Sequence, residues 1–209
     1  MFVAVSAAPW PPSEAQTVTY HRSIGTALDQ SSPGAGTVEP FPGTNLVIGT
    51  LTQWQTRNRG RGDVITISGA DYTVLAVESN TQLRLTTNFT SGAGPLQSYT
   101  IRRQFTGATA ELALVAWEDC IDGPLSVCGT ASLMTDDRRG FGILYEDSVF
   151  VLTPTREIRG STTDALHSIT LTVDGVNRHN GTPGTLSDGV IVDSNLDPNR
   201  WSLRVRDIR

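Results

Sequence analysis

From Leu46 onward the chain alternates short apolar runs with clusters of turn residues, the pattern of β-strands joined by tight connections. Residues 46–48, 64–67, 72–77, 83–86 and 99–102 are each predicted as a strand. In Leu83-Arg84-Leu85 and Tyr99-Thr100-Ile101-Arg102 apolar side chains alternate with arginine or threonine, so one row faces inward and the other faces solvent. Ser68-Gly69-Ala70-Asp71 and Ser79-Asn80-Thr81-Gln82 supply hairpin loops, because glycine and asparagine accept the positive φ that such turns demand. These strands make residues 43–105 a compact antiparallel β module, barrel or sandwich, and Trp54 is the one large aromatic placed to plug it.

The flanks follow other rhythms. Residues 1–42 hold Pro9, Pro11, Pro12, Pro33, Pro40 and Pro42 and one strand-like run, Thr17-Val18-Thr19-Tyr20-His21, and are expected to form an extended N-terminal arm. Residues 108–120 are rich in helix formers, with Thr106 or Thr109 as N-cap and Gly123-Pro124 as a stop. Beyond the helix, strand-like runs centre near residues 151, 171, 191 and 204. A spacing of about 20 residues suits the stacked coils of a parallel β-helix, with the helix shielding the first rung. A β-sandwich with long loops would space its strands similarly. The expected fold class is all-β, the module being followed over residues 106–209 by a short capping helix and β-helix-like coils.

Several segments carry a resemblance: Tyr20-His21-Arg22-Ser23-Ile24-Gly25-Thr26, Ala116-Trp117-Glu118, Asp136-Asp137-Arg138, Gly160-Ser161-Thr162-Thr163-Asp164, Leu171-Thr172-Val173, Arg178-His179-Asn180-Gly181 and Gly189-Val190-Ile191-Val192-Asp193. Together they resemble the opening coils of large secreted right-handed parallel β-helix surface proteins of myxobacteria and related bacteria, similar in shape to pectin lyases. The first module is similar to small β domains of phage tail and fibre proteins. Its Gly49-Thr50, Trp54, Gly62-Asp63 and Ser79-Asn80-Thr81-Gln82-Leu83 follow that pattern. The resemblances imply a surface-exposed, repetitive structural protein. Those β-helices run on for many more coils, so either this chain is a fragment of one or the rung holding Leu203 and Val205 offers an open edge to a partner by strand addition or stacking.

Charge narrows the partners. A net charge of −5 and a pI near 5.1 oppose nucleic-acid binding, which needs clustered positive charge. No apolar run approaches the roughly 20 residues of a transmembrane helix, and Met1 to Ala8 lacks the basic start of a signal peptide. Cys120 and Cys128 flank a Gly123-Pro124 loop and are a disulfide candidate in an oxidising location.

Candidate chemistry is sparse. His21, His167 and His179 lack the spacing of a zinc site, and no metal or cofactor is expected. Asp136-Asp137 and Glu146-Asp147 offer oxygen ligands for calcium near Arg138, Arg139 and Arg156, but Asp136-Asp137-Arg138-Arg139 reads first as a solvated, charge-balanced turn. No Gly-x-Ser-x-Gly elbow is present, and His167 and His179 read as turn residues making local hydrogen bonds. Arg61-Gly62-Asp63 belongs to a turn before a strand rather than to an adhesion motif, and the sequons at Asn88 and Asn180 direct nothing. Trp10, Trp201 and Tyr20 are possible glycan or interface aromatics, their scatter favouring separate roles over one platform with Trp117 and Tyr145. The expectation is a non-enzymatic structural subunit of an extracellular surface assembly, self-associating as a homo-oligomer or polymer through the arm and the open β edge. The alternatives are a phage-fibre or adhesin module that binds surface glycans and, third, a polysaccharide lyase or hydrolase.

Overall fold

A computed structural model describes residues 17–90, 94, 96–122, 128–153, 156–178, 189–193 and 203–206 of the 209-residue chain. The protein is mostly β, with one short α-helix. Its strands fall into an antiparallel half and a parallel half.

The antiparallel half contains β2 (Gln30–Ser31), β3 (Thr37–Pro40), β4 (Leu46–Thr50), β5 (Val64–Ile67), β6 (Ala70–Ser79), β7 (Gln82–Leu85) and β8 (Tyr99–Arg102), in the order β2-β8-β5-β6-β7-β4-β3. Val38 of β3 and Gln97, just ahead of β8, exchange backbone hydrogen bonds of 2.9 and 2.7 Å, so the two ends of the sheet meet. The curled sheet encloses Trp54, Ile65, Ile67, Val74, Leu83, Leu85 and Ile101, all without exposed surface. Trp54 plugs the barrel as expected. Its Nε1–H donates to Tyr99 Oη at 3.2 Å, and that hydroxyl donates to the Ala35 carbonyl at 2.8 Å, so the indole is buried without an orphaned donor.

The module begins earlier than Gly43. Residues 30–40 contribute two of its strands, and Val18–Gly25 forms β1 inside the parallel half, so the described part of the expected arm is folded into both halves. Gln30-Ser31 and Thr37-Val38-Glu39-Pro40 are too short and polar to announce themselves. Pro40 is tolerated because it ends a strand at the margin of the sheet.

The parallel half comprises β1, β9 (Phe105–Thr106), α1 (Ala110–Asp122), β10 (Arg138–Leu144), β11 (Phe150–Val151), β12 (Arg156–Arg159), β13 (Ile169–Val173), β14 (Val192–Asp193) and β15 (Leu203–Arg206). Every described pairing among its strands is parallel: β13-β10-β1-β9, β11-β14 and β12-β15. The triplet β10, β11, β12 is thus followed by β13, β14, β15, each strand lying beside its counterpart. The ladder joins Gly140 to Ile169, Phe150 to Val192 and Arg156 to Leu203. Consecutive runs of the sequence pattern are therefore not ladder partners: the run near 151 pairs with that near 191, and those near 171 and 204 pair with β10 and β12.

Helix α1 starts where Thr109 Oγ1 accepts the Leu112 N–H at 3.2 Å, an N-cap bond. Ala110, Ala113, Leu114, Trp117 and Ile121 repeat at helical spacing and bury against Ile24, Phe105, Leu144, Phe150, Leu152 and Ile158. Trp117 packs against β10 at Gly142, where a Cβ would stand 2.6 Å from its ring. At the far end Cys120 is bonded to Cys128, with Cα atoms 5.5 Å apart. Replacing both as Cys120→Ala/Cys128→Ala is expected to lower unfolding stability by about 2.5 kcal/mol, the loop-entropy value for so short a crosslink. A reduced urea midpoint with an unchanged slope would report it.

Candidate functional site

The two halves meet around one guanidinium. The inward row of β8, Tyr99 and Ile101, continues to Arg103, which leaves the barrel core and enters the interface with no exposed side-chain surface. All five of its N–H donors are used. Nη1 donates to both oxygens of Asp63 at 3.0 and 3.1 Å. Nε and Nη2 grip Asp147 as a fork, each at 2.8 Å, and Nη2 also reaches the Asn58 carbonyl at 2.6 Å. The guanidinium stacks 3.6 Å over the Tyr145 ring. Asp63 comes from the barrel loop before β5, whereas Tyr145 and Asp147 follow β10 in the parallel half.

The surroundings complete the seam. Asp147 also accepts the Ala27 N–H and the Asn58 amide, each at 3.1 Å, and Asp63 accepts the Gly60 N–H at 3.1 Å. Tyr145 Oη donates to the Arg61 carbonyl at 2.8 Å, and the Ser23 N–H donates to the Gly62 carbonyl at 3.1 Å. Gly62 is required here. Its φ is +86°, and a Cβ would stand 2.6 Å from the Ser23 nitrogen of β1. At the rim Arg61 pairs with Asp174 at 2.7 Å, with both side chains about a third exposed.

The electrostatics follow from burial. Desolvation works to raise the Asp147 carboxyl, but the hydrogen bonds and charge of Arg103 outweigh it and hold the group below the ordinary carboxylate range. Desolvation opposes the Arg103 charge, yet Asp63 and Asp147 raise its pKa above the ordinary value. Burial, reinforced by Asp63, pushes the Tyr145 phenol upward. Arg59, also buried, donates to the Leu28 carbonyl, and desolvation lowers its pKa against the favourable charge of Asp63. Both carboxylates are spent on Arg103 and hold 0% and 5% exposed side-chain surface, so this acidic pair is a structural clamp with no access for a substrate.

A groove of about 550 Å³ opens between β1 and β6. Val18, Tyr20 and Arg22 of β1 line one wall, and Asp71, Tyr72 and Thr73 of β6 line the other. Asp71 is already held by Arg102 and Thr66. Tyr20 is 43% exposed, and Arg22 lies over its ring at 4.8 Å.

Of the other expected site residues, Cys120 and Cys128 are bridged, and Trp10, Trp201 and His179 lie outside the described residues. Leu203 and Val205 sit in β15, paired in parallel with β12. His21 packs on Phe141, Trp117 belongs to the helix core and Tyr145 to the clamp. Arg61-Gly62-Asp63 forms the seam, with Asp63 fully buried. Asp136-Asp137-Arg138-Arg139 is not simply a solvated turn. Arg138 opens β10 and is 2% exposed, bonded to Asp136 at 3.1 Å and to the Thr130 carbonyl. His167 is more than a local turn residue. Its Nδ1 meets Asp164 at 2.7 Å and its Nε2 meets Asp137 at 3.0 Å, linking the turns that lead into β13 and β10. Among the described residues no group of three or more histidine, cysteine or acidic side chains converges as a metal site. No protein-family model, curated protein or solved structure matches the chain.

Arg103→Met would strand two buried carboxylates, and a loss of about 3–5 kcal/mol is expected in chemical denaturation. Restoring neutrality with Asp63→Asn in the same chain should recover part of that loss. His167 gives a pH signature. Its pKa is raised, first by the hydrogen bond to Asp137 and then by Asp164. The pairing therefore stabilises fully below the unfolded value of about 6.5 and is lost as pH rises through the higher folded value. The gap in urea midpoint between wild type and His167→Gln should accordingly close on going from mildly acidic to alkaline pH.

Proposed function

We propose that the chain is a structural, non-enzymatic subunit of an extracellular surface assembly, in which a right-handed parallel β-helix stem carries the antiparallel barrel as a fixed side module. The observation that carries this reading is the ordered repetition of β10, β11, β12 by β13, β14, β15, each strand parallel to its counterpart. A chain path that returns beside itself advances by one strand spacing of about 4.8 Å per circuit, which is how a stem is built from coils. Helix α1 closes one end of the shared apolar interior. The likeness of the sequence to secreted β-helix proteins points the same way, and the Cys120–Cys128 bridge suits an oxidising exterior.

The barrel is rigidly displayed. It is inserted between β1 and β9, and Arg103 locks it to the stem from the inside. Among the described residues β13 has a ladder partner on one side only, so a second copy finds an open edge to extend. Self-association falls to this edge, since the described part of the expected arm is consumed by the fold.

Light scattering on the purified full chain over a hundredfold concentration range should show mass rising with concentration, and electron micrographs should show fibres or regular surface arrays. A monomer at every concentration, in an oxidising buffer that preserves the disulfide, would overturn the assembly reading.

A further inference from the structure

The geometry points to the outer edge of β1 as a docking site for an extended peptide strand that bears a carboxylate side chain. The row beside β1 is half filled. β9 pairs with it only at Ile24 and Gly25, and nothing pairs beside Val18 to Arg22 on that side among the described strands.

The missing partners can be assigned to backbone groups. The Val18 N–H donates toward β10, to the Asp137 carbonyl, and the Ile24 carbonyl accepts from Tyr145 on the same side. The Ser23 N–H points the other way, to Gly62. Alternation along the strand therefore aims the N–H and C=O groups of Thr19 and His21 away from β10 and toward the groove. No described residue meets them there. A strand edge whose donors and acceptors face an open groove is the template that strand addition uses.

The side chains specify the visitor. Arg22 is 94% buried, as its 6% exposure records, yet among the described residues its side chain makes no hydrogen bond or ion pair, and its Nη1 is enclosed without a partner. Desolvation, with Arg138 adding repulsion, pulls the Arg22 pKa down to about 10, the mark of a buried cation lacking its anion. The carboxylate already in the groove, Asp71, is committed to Arg102. A strand laid along β1 would place alternate side chains on the face shared by Tyr20 and Arg22, where an Asp or Glu becomes a cross-strand ion partner. The ladder left open among the described strands selects a peptide over a saccharide, because it presents main-chain groups at strand spacing. This site is independent of whether the parallel half continues as a β-helix.

The test uses the full chain and a panel of fluorescein-labelled, acetylated pentapeptides of alternating Thr and Val carrying one Glu at each position in turn. Anisotropy should show saturable binding by at least one member, and its Gln counterpart and the Arg22→Gln protein should each weaken that binding tenfold or more. Thr19→Pro removes an unpartnered N–H while leaving the β10 ladder intact. It should abolish binding without moving the urea midpoint, which separates a lost site from a lost fold. No saturable binding by any member up to about 1 mM, a threshold near −4 kcal/mol, would overturn the proposal. Binding that survives Thr19→Pro would do the same, as would binding of a linear polyuronate where the peptides fail.

Discussion

The relative placement of the two halves rests on Arg103. Its guanidinium takes Asp63 from the barrel and Asp147 from the parallel half, with the Tyr145 ring beneath, and no solvent enters. Buried ion pairs are poor sources of net stability, because desolvation cancels most of the attraction. Their strength is geometric. Four hydrogen bonds directed at the two carboxylates and a fifth to the Asn58 carbonyl fix one arrangement, so a barrel that would otherwise slide over the β1–β10 sheet is held in a single pose. Shape enforces the same pose, since the loop carrying Asp63 approaches Ser23 of β1 through the bare backbone of Gly62.

Arginine is the only basic residue type besides histidine in the chain, and Arg22, Arg59, Arg103 and Arg138 are all buried. The planar fork that stays charged under desolvation suits that use, where a lysine would present one compact charge to several acceptors. Arg103 and Arg138 find carboxylates, Arg59 finds a carbonyl, and Arg22 finds only an aromatic face. The same side chain thus serves as clamp, strand anchor and waiting cation, depending on what the fold places opposite it.

The antiparallel barrel was legible because its partners are close in sequence and its alternation is clean, as at Ile65, Ile67, Leu83 and Leu85. Strand β10 was hidden. Arg138-Arg139-Gly140-Phe141-Gly142 has neither the apolar run nor the β-branched residues of a strand, since its glycines make room for Trp117 and Ile121 and its first arginine is held through Nε and Nη2 by Asp136 and Thr130. Parallel pairing leaves no local mark either, because the partner lies a full circuit away, as Arg156 does from Leu203. The clamp had one faint signal: a charged residue, Arg103, standing next in the inward row after Tyr99 and Ile101. Asp63 and Asp147 had none, being brought together only by the assembled halves.

The insertion point has its own consequence. Ile24 and Gly25, where the chain leaves the parallel sheet, lie in ladder register with Phe105 and Thr106, where it returns. The β1–β9 ladder itself asks only for a crossover that brings the chain back into parallel register, and the whole barrel serves as that crossover. Such an attachment behaves as a socket. Another module could take the barrel's place beside the parallel sheet and its helix, provided that it too offers a partner to Ser23 and a cation to Asp147.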